Sequence, residues 1–156
     1  MTQLHIPPAH QVLFLCTGNY YRSRFAEIIF STLARKRHSS WTAASRGLRL
    51  NMGVHNIGPI SPLALAALAE HGLSPPLPIR YPQQVTAMDF QIASIIIGMD
   101  ESEHRRMMME SFPQYASRIE YWHIHDLDRS GPEAALTMVE TQVRALVDRI
   151  LDTRGE

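Results

Sequence analysis

Hydrophobic positions along the chain change their period several times, and each change marks an element. Residues 11–15, Gln-Val-Leu-Phe-Leu, form a nearly continuous apolar run, which suits a short strand buried on both faces of a parallel sheet. From Arg22 to Arg37 the period becomes helical. Phe25, Ile28, Ile29 and Leu33 share one face, and Arg24, Glu27, Ser31 and Arg35 the other. Trp41–Ser45 predicts a second strand. Residues 46–60 are irregular, punctuated by Gly47, Gly53, Gly58 and Pro59 and carrying Arg46 and Arg49; loops of this kind often line a site. Ser61 and Pro62 predict a helix start, with Leu65, Leu68 and Ala69 as its apolar face and Gly72 at its end.

Pro75, Pro76, Pro78 and Pro82 predict an extended linker over residues 74–84. One helical turn is expected over Thr86–Phe90 and a strand over Gln91–Gly98. Asp100, with Glu103 three residues on, predicts a capping box for a short helix through Met109, in which Met107, Met108 and Met109 serve packing. Arg118–His123 reads as the last strand and residues 125–131 as a polar loop. Pro132 starts the longest helix, striped by Ala135, Met138, Val139, Leu146, Ile150 and Leu151. Four strand-then-helix units predict right-handed crossovers, a parallel α/β sheet with helices on both faces, and ligand binding at the carboxyl ends of the strands. Residues 1–156 are expected to form a single domain, with 1–10 a loose lead-in because Pro7 and Pro8 oppose regular structure.

Composition narrows the classes. The chain has 156 residues, 45% hydrophobic and 19% charged, with 15 Lys plus Arg against 15 Asp plus Glu. Zero formal charge gives no electrostatic reason for a nucleic-acid or membrane partner. Cys16 is the only cysteine, which excludes an intrachain disulfide and fits a reducing compartment. The first ten residues carry no basic-then-apolar signal pattern, and the longest apolar run, Ile92–Met99, is too short to span a bilayer. A cytoplasmic location is expected.

The chemistry concentrates in Cys16-Thr17-Gly18-Asn19-Tyr20-Tyr21-Arg22-Ser23, between the first strand and the first helix. A short loop closing on a helix N-terminus turns several N–H groups into one concavity, which suits a phosphate-like anion. A thiol stands at one lip and a guanidinium at the other. The thiolate is the reactive form of cysteine, and helix N-termini and nearby cations favour it. Ser23 can donate its hydroxyl to that thiolate. Arg22 offers paired planar donors to two phosphate oxygens. Gly18 and Asn19 are residue types that tolerate a positive φ. Tyr20 and Tyr21 are placed to contact a substrate. Asp126, in the last polar loop, is the candidate general acid, with Asp128 the alternative. His123 and His125 precede it, but no third strong ligand is placed by sequence, so no metal or other cofactor is expected.

Residues 16–27, Cys-Thr-Gly-Asn-Tyr-Tyr-Arg-Ser-Arg-Phe-Ala-Glu, resemble the phosphate loop of the low-molecular-weight protein tyrosine phosphatases, whose arsenate reductase relatives share the fold. Ser45-Arg46-Gly47 resembles the family's Ser-Ala-Gly, Ile96-Ile97-Gly98-Met99-Asp100 its strand ending in Met-Asp, and Asp126 its acid before Pro. The resemblance implies a three-layer αβα fold with a four-stranded parallel sheet and the phosphate loop after the first strand. It implies that Cys16 is the nucleophile, that Arg22 and the loop from Thr17 to Ser23 bind phosphate, that Asn19 and Ser45 hold the loop, and that Asp126 is the acid. The implied substrate is a phosphorylated protein, phosphotyrosine first, or a small phosphomonoester. Tyr21 stands where most members have a second cysteine, and Leu127, Asp128 and Arg129 replace the usual Pro and aromatics. Arg24 replaces a Pro and adds charge near the mouth, where Tyr20, Tyr21 and Trp122 are the aromatics left to form walls. Tyr20 also occupies the Thr position of arginine-phosphate phosphatases. Arsenate reduction with an external thiol, or phosphate binding without catalysis, are the alternatives.

Overall fold

The apolar run at residues 11–15 becomes the centre of the sheet because both of its faces find cover. The computed structural model describes residues 10–125 and 131–151. In strand β1 (Gln11–Cys16), Val12, Phe14 and Cys16 pack on one side and Leu13 and Leu15 on the other, following the two-residue alternation of a strand. The other strands are β2 (Thr42–Gly47), β3 (Ile95–Gly98) and β4 (Ile119–Tyr121). They lie in the order β2-β1-β3-β4, all parallel.

Helices α1 (Arg22–Lys36), α2 (Pro62–Glu70) and α5 (Pro132–Leu151) contribute to one hydrophobic layer, where Phe25, Ile29 and Phe30 meet Val139, Val143 and Val147. Helices α3 (Ala87–Ile92) and α4 (Glu101–Ser111) contribute to the other, with Phe90 and Met108 against Leu13 and Ile96. The architecture is therefore the expected three layers. β1 pairs with β2 on one side and β3 on the other, so the crossovers diverge at β1. This divergence opens a cleft beyond its carboxyl end, where Cys16 lies.

Three expected elements are corrected. The strand expected from Gln91 begins at Ile95, because Thr86 and Asp89 close a capping box and the helix they start runs through Ile92. The second strand runs to Gly47, since its last residues pair with Leu15 and Cys16. The box expected at Asp100 does not close. Asp100 caps Ser102, but its own N–H donates to His104 Nδ1 at 3.0 Å, and Glu103 turns toward Arg22. Of the three methionines, Met107 and Met108 are buried and Met109 is exposed. No helix among the described residues is long and apolar enough to cross a membrane.

Candidate active site

The loop after β1 turns at Asn19, which has φ 52° and is fully buried. Its amide uses its whole hydrogen-bonding capacity. Nδ2 donates to Ser23 Oγ at 2.9 Å and Ser45 Oγ at 3.0 Å. Oδ1 accepts from an Arg80 NH group and from the Gln83 backbone, each at 3.0 Å. Ser45 in turn donates to Glu27 and accepts from Arg80 at 3.1 Å. A left-handed residue is thus locked from four directions. Of the two residue types here that tolerate a positive φ, Asn19 adopts one and Gly18 does not. Gly47 backs the loop: a Cβ there would meet Thr17 O at 2.8 Å and Asn19 N at 3.1 Å.

Ser23 Oγ accepts from Asn19 Nδ2 and lies 2.9 Å from Cys16 Sγ, where its O–H can donate to the sulfur in its thiolate form. Cys16 is 3% exposed. Helix α1 begins at Arg22, after an N-cap residue, Tyr21, that makes no side-chain cap bond, and helix geometry directs its first-turn N–H groups back toward the loop. A sulfur that accepts a hydroxyl proton beside a helix N-terminus is held as a nucleophile and stabilised as a leaving group.

Arg22 is also 3% exposed. One of its terminal nitrogens, NH1, donates to Ile124 O at 2.9 Å, and both terminal nitrogens approach the Glu103 carboxylate at 3.3–3.4 Å. The Thr17 hydroxyl donates to the same carboxylate, and His104 Nε2 lies 3.1 Å from Thr17 Oγ1. Burial pushes Glu103 upward. The bond from His104, the charge of Arg22 and the bond from Thr17 outweigh it and hold the carboxyl well below the usual range.

A cavity of about 420 Å³ opens above the thiol. Cys16, Thr17, Gly18, Tyr20, Tyr21 and Arg22 line one side, and Met52, Gly53, Asn56 and Ser61 the other. Both tyrosines reach it, with Tyr20 Oη donating to Ile57 O at 2.6 Å and pinning the loop that follows β2. Trp122 is not a wall of this cavity: it is buried in the core against Phe14. Arg24 is not at the mouth. It is buried, donating to Asn19 O, Pro59 O and Arg80 O, and burial, then Arg80, pulls it down to about 10. Arg46 and Arg49 point away, to Asp89 and Glu110.

Asp126 and Asp128 lie outside the described residues. The segment leading to them is anchored: Ile124 N–H donates to Met99 O at 2.8 Å, and His125 Nδ1 lies 3.0 Å from Asp100 Oδ2. Burial raises Asp100, and the bonds from His125 and Ser102 lower it by more. Among the described residues no group of three or more His, Cys, Asp or Glu side chains is placed to hold a metal.

Sequence reasoning missed Arg80, Gln83, Glu103 and His104. Arg80 and Gln83 come from the proline-rich linker, and Glu103 carried only a helix-start signal.

A strand-to-helix loop that seats a thiol before inward-turned amides, with a guanidinium six residues on, is suited to carrying a phosphoryl group on sulfur. The enzymes built this way are the cysteine-dependent phosphatases. The sequence profile of the low molecular weight phosphotyrosine protein phosphatases matches residues 11–154, and the chain belongs to that family. Solved structures agree on the fold. YfkJ from Bacillus subtilis is 24% identical, over 93% of this chain and 96% of its own, with a TM-score of 0.78. A low molecular weight phosphotyrosine phosphatase from Vibrio cholerae O395 is 25% identical, over 94% and 99%, with a TM-score of 0.75. The YwlE arginine phosphatase from Geobacillus stearothermophilus is 22% identical, over 94% and 99%, with a TM-score of 0.72. No curated protein sequence matches the chain.

Proposed function

We propose that this phosphatase hydrolyses aromatic phosphomonoesters, phosphotyrosine in proteins first among them, through a phosphocysteine on Cys16. The observation that carries the reading is the Ser23–Cys16 contact at the floor of a cavity edged by Tyr20 and Tyr21. The phosphate sits among the backbone amides from Thr17 to Ser23, clasped by Arg22, whose charge offsets that gathering on the equatorial oxygens. The Cys16 thiolate attacks phosphorus. The ester oxygen departs with the Asp126 proton. Water then attacks the phosphocysteine, giving its proton to the Asp126 carboxylate, and the departing thiolate is stabilised by the Ser23 hydroxyl.

The test is turnover of p-nitrophenyl phosphate and of a phosphotyrosine peptide at mildly acidic pH, with phosphoarginine as the competing substrate because an arginine phosphatase shares the fold. Cys16→Ser is expected to abolish turnover, and acid quenching of the wild type to trap phosphate on Cys16. Absence of turnover with verified free thiol overturns the reading. A preference for phosphoarginine overturns the choice of substrate alone. The lack of any second cysteine speaks against a disulfide-relay arsenate reductase.

A further inference from the structure

The Glu103 carboxylate stands on the first turn of α4, more than eighty residues from the loop, yet it touches two loop residues. It accepts from Thr17, and both terminal nitrogens of Arg22 face it. It does not line the cavity above Cys16. We propose that Glu103 is the positioning residue for Arg22: it holds the guanidinium from outside the phosphate cradle so that the fork is set before substrate arrives. The proposal rests on the reading that Arg22 clasps the phosphate.

Three observations support it. Arg22 is buried, and a buried cation needs a fixed partner. The carboxylate is itself fixed, because the Asp100 N–H donates to His104 Nδ1. That bond requires a lone pair on Nδ1 and leaves Nε2–H to donate, toward Thr17 Oγ1 at 3.1 Å and Glu103 Oε2 at 3.3 Å. A directed chain therefore runs from the start of α4 through His104 and Thr17 to Glu103 and Arg22. The second anchor, Ile124 O, holds the same NH1 nitrogen at 2.9 Å, so two fixed acceptors define the guanidinium plane. A flexible arginine would otherwise lose rotamer freedom at the transition state, and presetting it lowers that cost.

The test is a double-mutant cycle with p-nitrophenyl phosphate on Glu103→Gln and Arg22→Lys, each checked for folding by circular dichroism. Glu103→Gln keeps the volume and loses the acceptor for one of its donors. It is expected to lower kcat roughly 10–100-fold with KM changed by about twofold or less. In the Arg22→Lys background, where no planar fork remains to orient, the same change is expected to cost about twofold or less. Equal losses in both backgrounds make Glu103 a structural residue and overturn the proposal. So does unchanged or raised kcat/KM in Glu103→Gln, the latter marking the carboxylate as a competitor for Arg22. Thr17→Val removes the hydroxyl that donates to Glu103 and gives a second cycle with the same expected coupling if Glu103→Gln does not fold. If Arg22→Lys alone retains wild-type turnover, the assignment of Arg22 fails, a result distinct from failure at Glu103.

Discussion

Ser23 Oγ lies 2.9 Å from Cys16 Sγ and is held there by Asn19 Nδ2, which donates to it, so the hydroxyl can donate to the Cys16 thiolate. A hydrogen bond to a charged acceptor contributes about 1.5–3 kcal/mol. On the proposed phosphocysteine route, its largest use falls in the second step, where the thiolate is the leaving group. Ser23→Ala is therefore expected to lower kcat roughly 10–100-fold and to make the release of p-nitrophenol biphasic, with a burst before a slow steady state. Rapid-quench kinetics measures it, and a steady state slowed with no burst would place the loss in the first step.

The residues that were legible in the sequence are those whose partners are close along the chain. Cys16, Asn19 and Ser23 fall within eight residues, and β1 announces itself by an apolar run with no polar face to explain. Arg80 and Glu103 were illegible for the opposite reason. Each is a charged residue in a polar stretch, the ordinary pattern of a solvated surface, and only the fold brings it to the loop from more than fifty residues away. Arg24 misled because the period of α1 sets it off the apolar face of Phe25, Ile28 and Ile29, among polar residues that read as solvent-facing. Contacts with Pro59 O and Arg80 O cover that face instead.

Gly47 has no room for a side chain. Of the atoms its Cβ would meet, Leu50 Cδ1 at 2.4 Å belongs to a side chain that can swing, but Thr17 O at 2.8 Å is backbone. Gly47→Ala must push the loop off β2. Overpacking of this kind costs about 1–3 kcal/mol, and a shift near 1 Å at a reacting centre costs about 100-fold in rate. Activity is thus expected to fall by more than stability accounts for. Urea denaturation beside kcat/KM for p-nitrophenyl phosphate tests this, and retained kcat/KM would mean that the loop does not depend on this contact.

His71 joins α2 to α5. Its Nδ1 lies 2.9 Å from Ala67 O and its Nε2 2.9 Å from Glu140 Oε1. Both partners are acceptors, so the doubly protonated ring satisfies both. The backbone bond to Ala67 and the Glu140 carboxylate raise His71 above 6.5 despite some burial. Glu140 lies below 4.5 because its bonds to Arg144 and His71 outweigh burial. The raised group stabilises fully below 6.5 and loses that contribution as pH rises through its folded value. The depressed group stabilises above 4.5 and loses it as pH falls through its folded value. The pair contributes most between those limits, about 0.5–1 kcal/mol for a partly exposed contact. His71→Ala is expected to destabilise more at about pH 5.5 than at pH 8 in urea titrations, and equal losses at the two would remove the ion pair from the account.

The choice between Asp126 and Asp128 turns on reach. The chain is held through residue 125: Arg22 donates to Ile124 O at 2.9 Å, Ile124 N–H donates to Met99 O at 2.8 Å, and His125 contacts Asp100 at 3.0 Å. Asp126 is the first residue in the sequence after these anchors. Asp128 follows two residues later, and two residues of chain can span up to about 7 Å. A general acid must come within hydrogen-bond reach of the leaving oxygen, and its loss costs roughly 10²–10⁴-fold. Asp126→Ala is expected to lower kcat for p-nitrophenyl phosphate by about 100-fold, and more for phenyl phosphate, whose leaving group needs the proton more. Asp128→Ala is expected to stay within a few-fold of wild type. The comparison is decided by leaving-group dependence: if Asp128→Ala is the variant that becomes sensitive to it, the acid is Asp128 and the anchoring at residue 125 serves another end.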